Sequence, residues 1–444
     1  MTGQVERSTV RLAELVATLS LGTDLGMGQS MEHVLRQSLI ALRLAERLGL
    51  DDAERRVVYY VSLLAWVGCH VDAYEQAKWF GDDTVFKNDT RRIDTGRPLD
   101  KAAFVVRHIG SGRPLPERAQ LGVAFLGSGR RTFEDMVENH WVATNALAGQ
   151  LGLGDDVCES LNQTFERWDG KGVPAEVERD QIELTARIVN LADVVEVFHR
   201  AGGVEAAIAV ARERSGTQFD PELVELFCEE APALFDELDS VSSWDSVIAA
   251  EPALTAVLSD EEFEAALEAI ADFTDLKSPW TIGHSRGVAA LAGAASRLYG
   301  LDEGDTTLVR RAALVHDLGR LGVSNATWDK RGPLTPAELE RVRLHPYLTE
   351  RMLASSPPLA RLSAIAVQHH ERLDGSGYPR GLAGNALSPA GKLLAAADAY
   401  HAMTEARPHR AALPAEEAAA ELRAGVRRAL FDADAADAVL RAAG

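Results

Sequence analysis

The chain repeats itself, and that restricts its architecture more than any other feature. The stretch EHVLRQSLIALRLAERLGLDD at 32–52 aligns with GHSRGVAALAGAASRLYGLDE at 283–303, placing His33 on His284. Continuing without a gap, SLLAWVGC at 62–69 aligns with the segment that begins at Ala312, and Gly68 meets Gly319. After one length change, His140 falls on His345, ERWDGKGVP at 166–174 on ERLDGSGYP at 371–379, and LAD at 191–193 on AAD at 396–398. The first copy carries about 46 more residues between Gly68 and His140 than the second carries between Gly319 and His345. A repeat this long is one folding unit used twice, so two similar domains are expected.

The pattern inside each copy is helical. Leu35, Leu39, Leu42, Ala45 and Leu48 recur at three- and four-residue steps, as do Leu308, Ala312 and Val315. Gly/Pro clusters at 110–116, 332–336 and 375–384 punctuate helices, and alternating β-branched runs are scarce. The expectation is an all-α chain with a first domain at 8–238, an acidic helical connector at 239–275 and a second domain at 276–444. Ser259, with Glu262 three residues on, predicts a helix start inside that connector. The first copy's extra stretch, about 70–139, is rich in charge and glycine and reads as a lid.

Charge excludes some partners. The formal net charge is -21, whereas bulk nucleic acid and anionic membranes call for a basic surface. There is no run of about 18 apolar residues and no secretory pattern at the start, so no membrane partner and a cytoplasmic location are expected. The three cysteines, Cys69, Cys158 and Cys228, are far apart and form no metal or disulfide spacing.

The chemistry lies in the second copy. His284, His316, Asp317, His345, His369, His370 and Asp398 fall at the ends of, or within, apolar helical runs. A buried carboxylate among buried imidazoles needs a cation. Mixed imidazole and carboxylate ligands suit Mn, Fe, Zn or Ni, and carboxylates can bridge two ions.

In sequence order, HSRGVAAL, HDLGRLGV, the His345-Pro346 pair, HHERLDGSGYPRGL and DAYHAMTEARPHR resemble the successive motifs of the HD-GYP domain, a branch of the HD phosphohydrolase superfamily. The resemblance covers most of 276–444. It implies a helical, metal-dependent phosphodiesterase that hydrolyses a cyclic dinucleotide, cyclic di-GMP first, to pGpG and GMP. It also implies two divalent ions, iron or manganese ahead of zinc or nickel. His284, His316, Asp317 and Asp398 would hold one, and Asp317 would bridge to a second held by His345, His369 and His370. Asp317 and Arg320 are the expected catalytic pair. Arg320, Arg407 and Arg410 are candidate phosphate partners because the guanidinium fork binds phosphate bidentately. Tyr378 stands to stack on a base or brace its loop, and Gly377 to let substrate approach.

Three positions depart from the family pattern. Arg320 replaces the usual lysine, Trp280 stands where three-metal members carry Glu, and His401 where Asp is common. Two ions are therefore expected rather than three. The first copy has Ala65, Trp66, Thr164 and Phe165 at the positions of His316, Asp317, His369 and His370. Only His33, His140 and Asp193 remain there, so no catalytic metal is expected in it. A structural, sensing or dimerising role is left for that copy, with a homo-oligomer among the possibilities. The alternatives to the enzyme are a nucleotide-binding signalling module with little turnover and a phosphohydrolase for another nucleotide.

Overall fold

A computed structural model describes residues 10–252 and 257–444, with Arg130 and Phe133 described by backbone alone. Among the described residues the regular structure is helical, with isolated bridges and no strand. The all-α reading holds, and the chain divides into two compact units, one of Arg11–Ala256 and one of Val257–Gly444 together with Val10.

In the N-terminal unit, α1 (Leu12–Gly26), α2 (His33–Arg47) and α3 (Asp52–Leu64) lead to the long α4 (Leu115–Gln150) and α5 (Leu184–Glu213). Asp51 starts α3 by accepting hydrogen bonds from the Ala53 and Glu54 amides, which have no partner within the helix. The inserted stretch is not the lid expected from its composition. It folds into helices Ala73–Phe80, Asp83–Thr90 and Pro98–His108. These bury a cluster of Phe80, Phe86, Phe104, Ile109 and Phe125, with Phe80 stacked on Phe86 at 4.1 Å. A few well-spaced aromatics outweigh the polar residues around them, because each ring removes so much apolar area from water.

In the C-terminal unit, α6 (Asp260–Asp275), α7 (His284–Tyr299) and α8 (Glu303–Val315) precede α9 (His345–Leu353), α10 (Pro357–Ala366), α11 (Pro389–Thr404), α12 (Ala415–Arg427) and α13 (Ala433–Ala443). Ser259 accepts from the Glu262 amide, and Glu262 accepts from the Ser259 amide in return, forming the capping box read from the sequence. That helix sits within the C-terminal unit. Asp275 accepts hydrogen bonds from the Ser285 amide and hydroxyl, and Arg286 reaches Asp272. In the same register, Asp24 of α1 accepts from the Val34 amide. Thus α1 and α6 are matching first helices, and the repeat begins earlier than the sequence alignment reached.

The core of the C-terminal unit lies where α7, α8 and α11 meet. Val288, Ala292, Ala295, Val309, Ala312, Ala313, Leu393, Leu394 and Ala396 are all buried there. The small alanine faces let the helices approach closely, so that side chains leaving their ends converge. Truncating Leu394 to Ala would cost about 2–5 kcal/mol. Among the described residues no single helix is long and apolar enough to cross a membrane.

Candidate metal centre

Three histidines share one local design. His316 caps the end of α8, His345 follows the helix Pro336–Arg343, and His369 follows α10. The last carbonyls of a helix have no partner within it. Here each histidine uses one: His316 Nδ1 donates to Ala313 O, His345 Nδ1 to Val342 O and His369 Nδ1 to Ala366 O, all at 2.6 Å. With the proton fixed on Nδ1, a neutral ring turns a bare Nε2 lone pair inward. Gly319 makes the approach possible. A Cβ there would lie 1.9 Å from His345 O.

The inward nitrogens surround Asp317. Its Oδ1 lies 3.5 Å from His345 Nε2 and 3.7 Å from His369 Nε2. Its Oδ2 lies 3.6 Å from His316 Nε2 and 3.8 Å from His284 Nε2. Asp398, on α11, is 3.3 Å from His284 and 3.8 Å from His316. His345, His369 and His370 form a further group with donor atoms within 4.8 Å of one another. Four of the expected ligands thus face the Asp317 carboxylate, and Asp398 and His370 join the cluster through those histidines.

The donor set fits divalent ions. His345 and His369 face each other Nε2 to Nε2 at 3.0 Å while both Nδ1 protons are committed to carbonyls. Two neutral rings so placed present lone pair to lone pair, an arrangement that a shared cation relieves. His316 Nε2, fully buried, has no hydrogen-bond partner. Burial pushes the pKa of His345 down to about 4 and that of His369 to about 3, so both are in the neutral form that binds metal. Burial also drives His370 well below its ordinary value, helped by His369 and His345. Asp317 and Asp398 behave oppositely. Burial would raise them, but His316, Arg320 and His345 around Asp317, and His284 and His316 beside Asp398, hold both below the ordinary carboxylate range. Burial also opposes charge on His284, and the hydrogen bonds to Asp398 and Glu405 outweigh it, lifting its pKa to about 9.

The expected substrate residues divide. Arg320, 6% exposed, donates from Nη1 to Asp317 Oδ2 at 2.8 Å and lies 4.2 Å over the Trp328 ring. Arg407 is half-buried at the rim. It donates to Trp280 O and to Glu405 Oε2, and one of its nitrogens is 3.3 Å from His284 Nδ1. Arg410, expected as a phosphate partner, is not brought to the centre. Its guanidinium donates to the carbonyls of Ala402, Met403 and Glu405, capping α11. Tyr378 stacks on His370 at 4.7 Å and so braces a ligand ring. Gly377 lies under that loop, where a Cβ would be 2.5 Å from the Glu371 Cα.

Glu405 is the residue the sequence reading missed. Its Oε2 accepts from His284 Nδ1 at 2.8 Å, and its Oε1 is 3.3 Å from His401 Nε2. The signal was available: Asp398, His401 and Glu405 are spaced three and four apart, along one face of a helix. His401 therefore touches the carboxylate that orients His284, and its ring also fills the space left by Gly287.

The N-terminal unit has kept the scaffold and exchanged the contents. Gly68 abuts the His140 carbonyl as Gly319 abuts that of His345. His33 Nε2 bonds Asp193 at 3.0 Å, and its Nδ1 bonds Glu196. Asp193 receives its second partner from the insert, Arg91 Nε at 3.1 Å, and the Arg91 guanidinium lies 4.8 Å over Trp66. Phe165 meets Trp66 and His140 edge to face.

The chain and its fold are similar to those of known proteins. The HD domain family model matches residues 129–223 and 268–435, parts of both units. The chain belongs to that family, in its HD-GYP branch, and is a metal-dependent phosphohydrolase with a degenerate N-terminal copy. It is 32% identical over 420 residues to 3'3'-cGAMP-specific phosphodiesterase 3 of Vibrio cholerae, spanning 94% of this chain and 91% of that one. The crystal structure of a cyclic GMP-AMP specific phosphodiesterase from V. cholerae superposes with a TM-score of 0.66 at 29% identity, covering 98% of this chain and 97% of that one. A cyclic di-GMP phosphodiesterase of Thermotoga maritima is 37% identical over 158 residues, 35% of this chain and 42% of that protein.

Proposed function

We propose that the C-terminal unit is a two-metal phosphodiesterase that opens a cyclic dinucleotide to its linear form and then to mononucleotides. The observation that carries this reading is the pair of opposed Nε2 atoms of His345 and His369, 3.0 Å apart and next to the Asp317 carboxylate. His284, His316, Asp317 and Asp398 would hold one ion, and Asp317 would share a second with His345, His369 and His370. The mixed imidazole and carboxylate set can hold iron, manganese, zinc or nickel, and the family resemblance puts iron or manganese first. Such a pair supplies positive charge to the phosphoryl oxygens and a lowered pKa to the attacking water.

The chain's own residues do the rest. Arg320 anchors Asp317 by donating to its Oδ2. Together with Arg407 it offers guanidinium charge to phosphate oxygens that protein cations must meet in a site closed to water. Glu405 fixes the ring of His284, and Tyr378 fixes that of His370. The reaction breaks one P–O bond to a ribose oxygen and forms one to water, with the water's protons shared between phosphate and leaving alcohol.

Two substrates are in view. Cyclic di-GMP follows from the motifs, and the relatives named for it match about a third of this chain, 35% and 34%. The tandem relative that spans nearly the whole chain supports 3'3'-cGAMP. The test is purified protein loaded with manganese or iron, given each nucleotide in turn, beside the Asp317→Ala variant. Linear dinucleotide from one or both substrates, with metal content falling from about two ions to one or none in the variant, is the expected result. Metal bound with no linear product from either nucleotide would reject the reading.

A further inference from the structure

The N-terminal unit encloses a cavity of about 300 Å³. That is within the range of sites that take small organic ligands. Its lining inverts the charge of the chain. Three arginines and three lysines (Arg91, Arg167, Arg214, Lys87, Lys101, Lys171) stand against three carboxylates, Asp72, Glu166 and Asp193. Asp83, Asp94 and Asp169, which pair with Lys87 and Arg167, do not line the cavity, so those cations stand between their partners and the void. In a protein with a net charge of -21, a basic pocket marks a place for an anion.

Two further features specify the anion. Trp66 and Phe165 form an aromatic wall, their ring centres 5.7 Å apart, and rings of this kind take a planar base by stacking. His140 and Glu166, each 3% exposed, also line the cavity. Neither the ring nitrogens of His140 nor Glu166 Oε2 have a well-formed hydrogen bond, although the Ala65 backbone lies near His140 and the Ala175 and Val177 amides near the Glu166 carboxylate. A buried polar atom without a partner is costly, and a ligand with its own donors and acceptors removes that cost.

We propose that this cavity is a second ligand site, for a phosphate-bearing purine nucleotide of mononucleotide size. The phosphate meets Arg91, Arg167 and the lysines. The base lies against the Trp66–Phe165 wall, with its amino group available to Glu166. The site needs no metal, because Arg91 already supplies the cation beside Asp193.

Calorimetry on the full chain carrying Asp317→Ala tests this, with GMP, AMP, 3'3'-cGAMP and inorganic phosphate as titrants. One GMP or AMP per chain is expected at the cavity, bound at least tenfold more tightly than phosphate, whereas any binding of 3'3'-cGAMP to the C-terminal unit should be unmoved by Arg91→Gln. Arg91→Gln should weaken the mononucleotide binding more than tenfold. Because Arg91 also pairs with Asp193, the exposed-rim variant Lys171→Glu serves as a second probe and should weaken binding several-fold with an unchanged circular dichroism spectrum. No GMP or AMP binding at millimolar nucleotide, equal binding of phosphate alone, or a mononucleotide affinity that Lys171→Glu leaves unchanged would each overturn the proposal. None of these results bears on turnover in the C-terminal unit, so the two readings fail separately.

Discussion

Asp193 and Asp398 occupy matching positions in the two halves of the chain, and both are buried. Asp398 is surrounded by imidazoles, His284 at 3.3 Å and His316 at 3.8 Å. Asp193 has one imidazole, His33, and a guanidinium, Arg91. The same electrostatic problem, a carboxylate out of water, has two solutions. One keeps nitrogen lone pairs available for an exchangeable cation. The other builds a permanent cation into the chain and sets Trp66 and Phe165 where the C-terminal copy has Asp317 and His370. What separates an enzyme from a scaffold here is the source of the positive charge, while the helices, the glycine contacts and the loop remain common to both.

The largest expected effect tests the C-terminal side of this contrast. Asp317→Ala should lower phosphodiesterase activity by a thousandfold or more, because the residue faces His284, His316, His345 and His369 at once. Initial rates at saturating metal check it, and a loss under tenfold would show that Asp317 is not shared. On the N-terminal side, Arg91→Ala should destabilise that unit by about 3–5 kcal/mol by leaving Asp193 short of charge. Urea unfolding followed by hydrogen exchange on α2 and α5 reads this, and metal content should not change. Next, Glu405→Gln should weaken metal binding about 10- to 100-fold by freeing the ring of His284. Competition with a chelator measures it.

The pH response should also separate the halves. Burial opposes charge on His33, but Glu196 and Asp193 outweigh it and raise its pKa to about 9. A histidine raised in the folded state stabilises fully below its unfolded value near 6.5 and loses that contribution as pH climbs through about 9. Asp24, raised by burial from 3.8 to about 7, acts in the same direction but at lower pH, between about 4 and 7. Amide protection in α2 should therefore fall between pH 6.5 and 9 once corrected for intrinsic exchange. Constant protection would mean that the His33–Glu196 contact carries no net stability. Smallest of all, Ser259→Ala should cost about 1 kcal/mol through loss of the helix cap.

The sequence made much of this legible. Helical periodicity and the constant offsets of the repeat revealed an all-α tandem chain, and the spacing of His and Asp residues pointed to the cluster that the fold gathers. Ligand types are readable because a buried carboxylate or imidazole among alanines has few other reasons to be there. Other features were not readable. Arg410 looks like any phosphate-binding arginine in a motif, and only the carbonyls of α11 reveal it as a cap. The match between Asp24 and Asp275 lies at the offset already established for His33 and His284, but the surrounding residues of α1 and α6 differ too much to draw attention. The aromatic core of the insert is spread over Phe80 to Phe125, a spacing that no short window can connect.

Arg91 arrives with the 46-residue length difference, in a helical stretch that the C-terminal copy lacks. This suggests an order of events after the duplication. A copy that shed its histidines first would have carried a stranded carboxylate and risked losing its fold. A copy that first gained the inserted helices already held a resident counter-charge, and its ligands could then drift to tryptophan and phenylalanine one at a time. In physical terms, the Arg91 guanidinium makes the absence of each metal ligand tolerable to Asp193, and without it that carboxylate would be stranded.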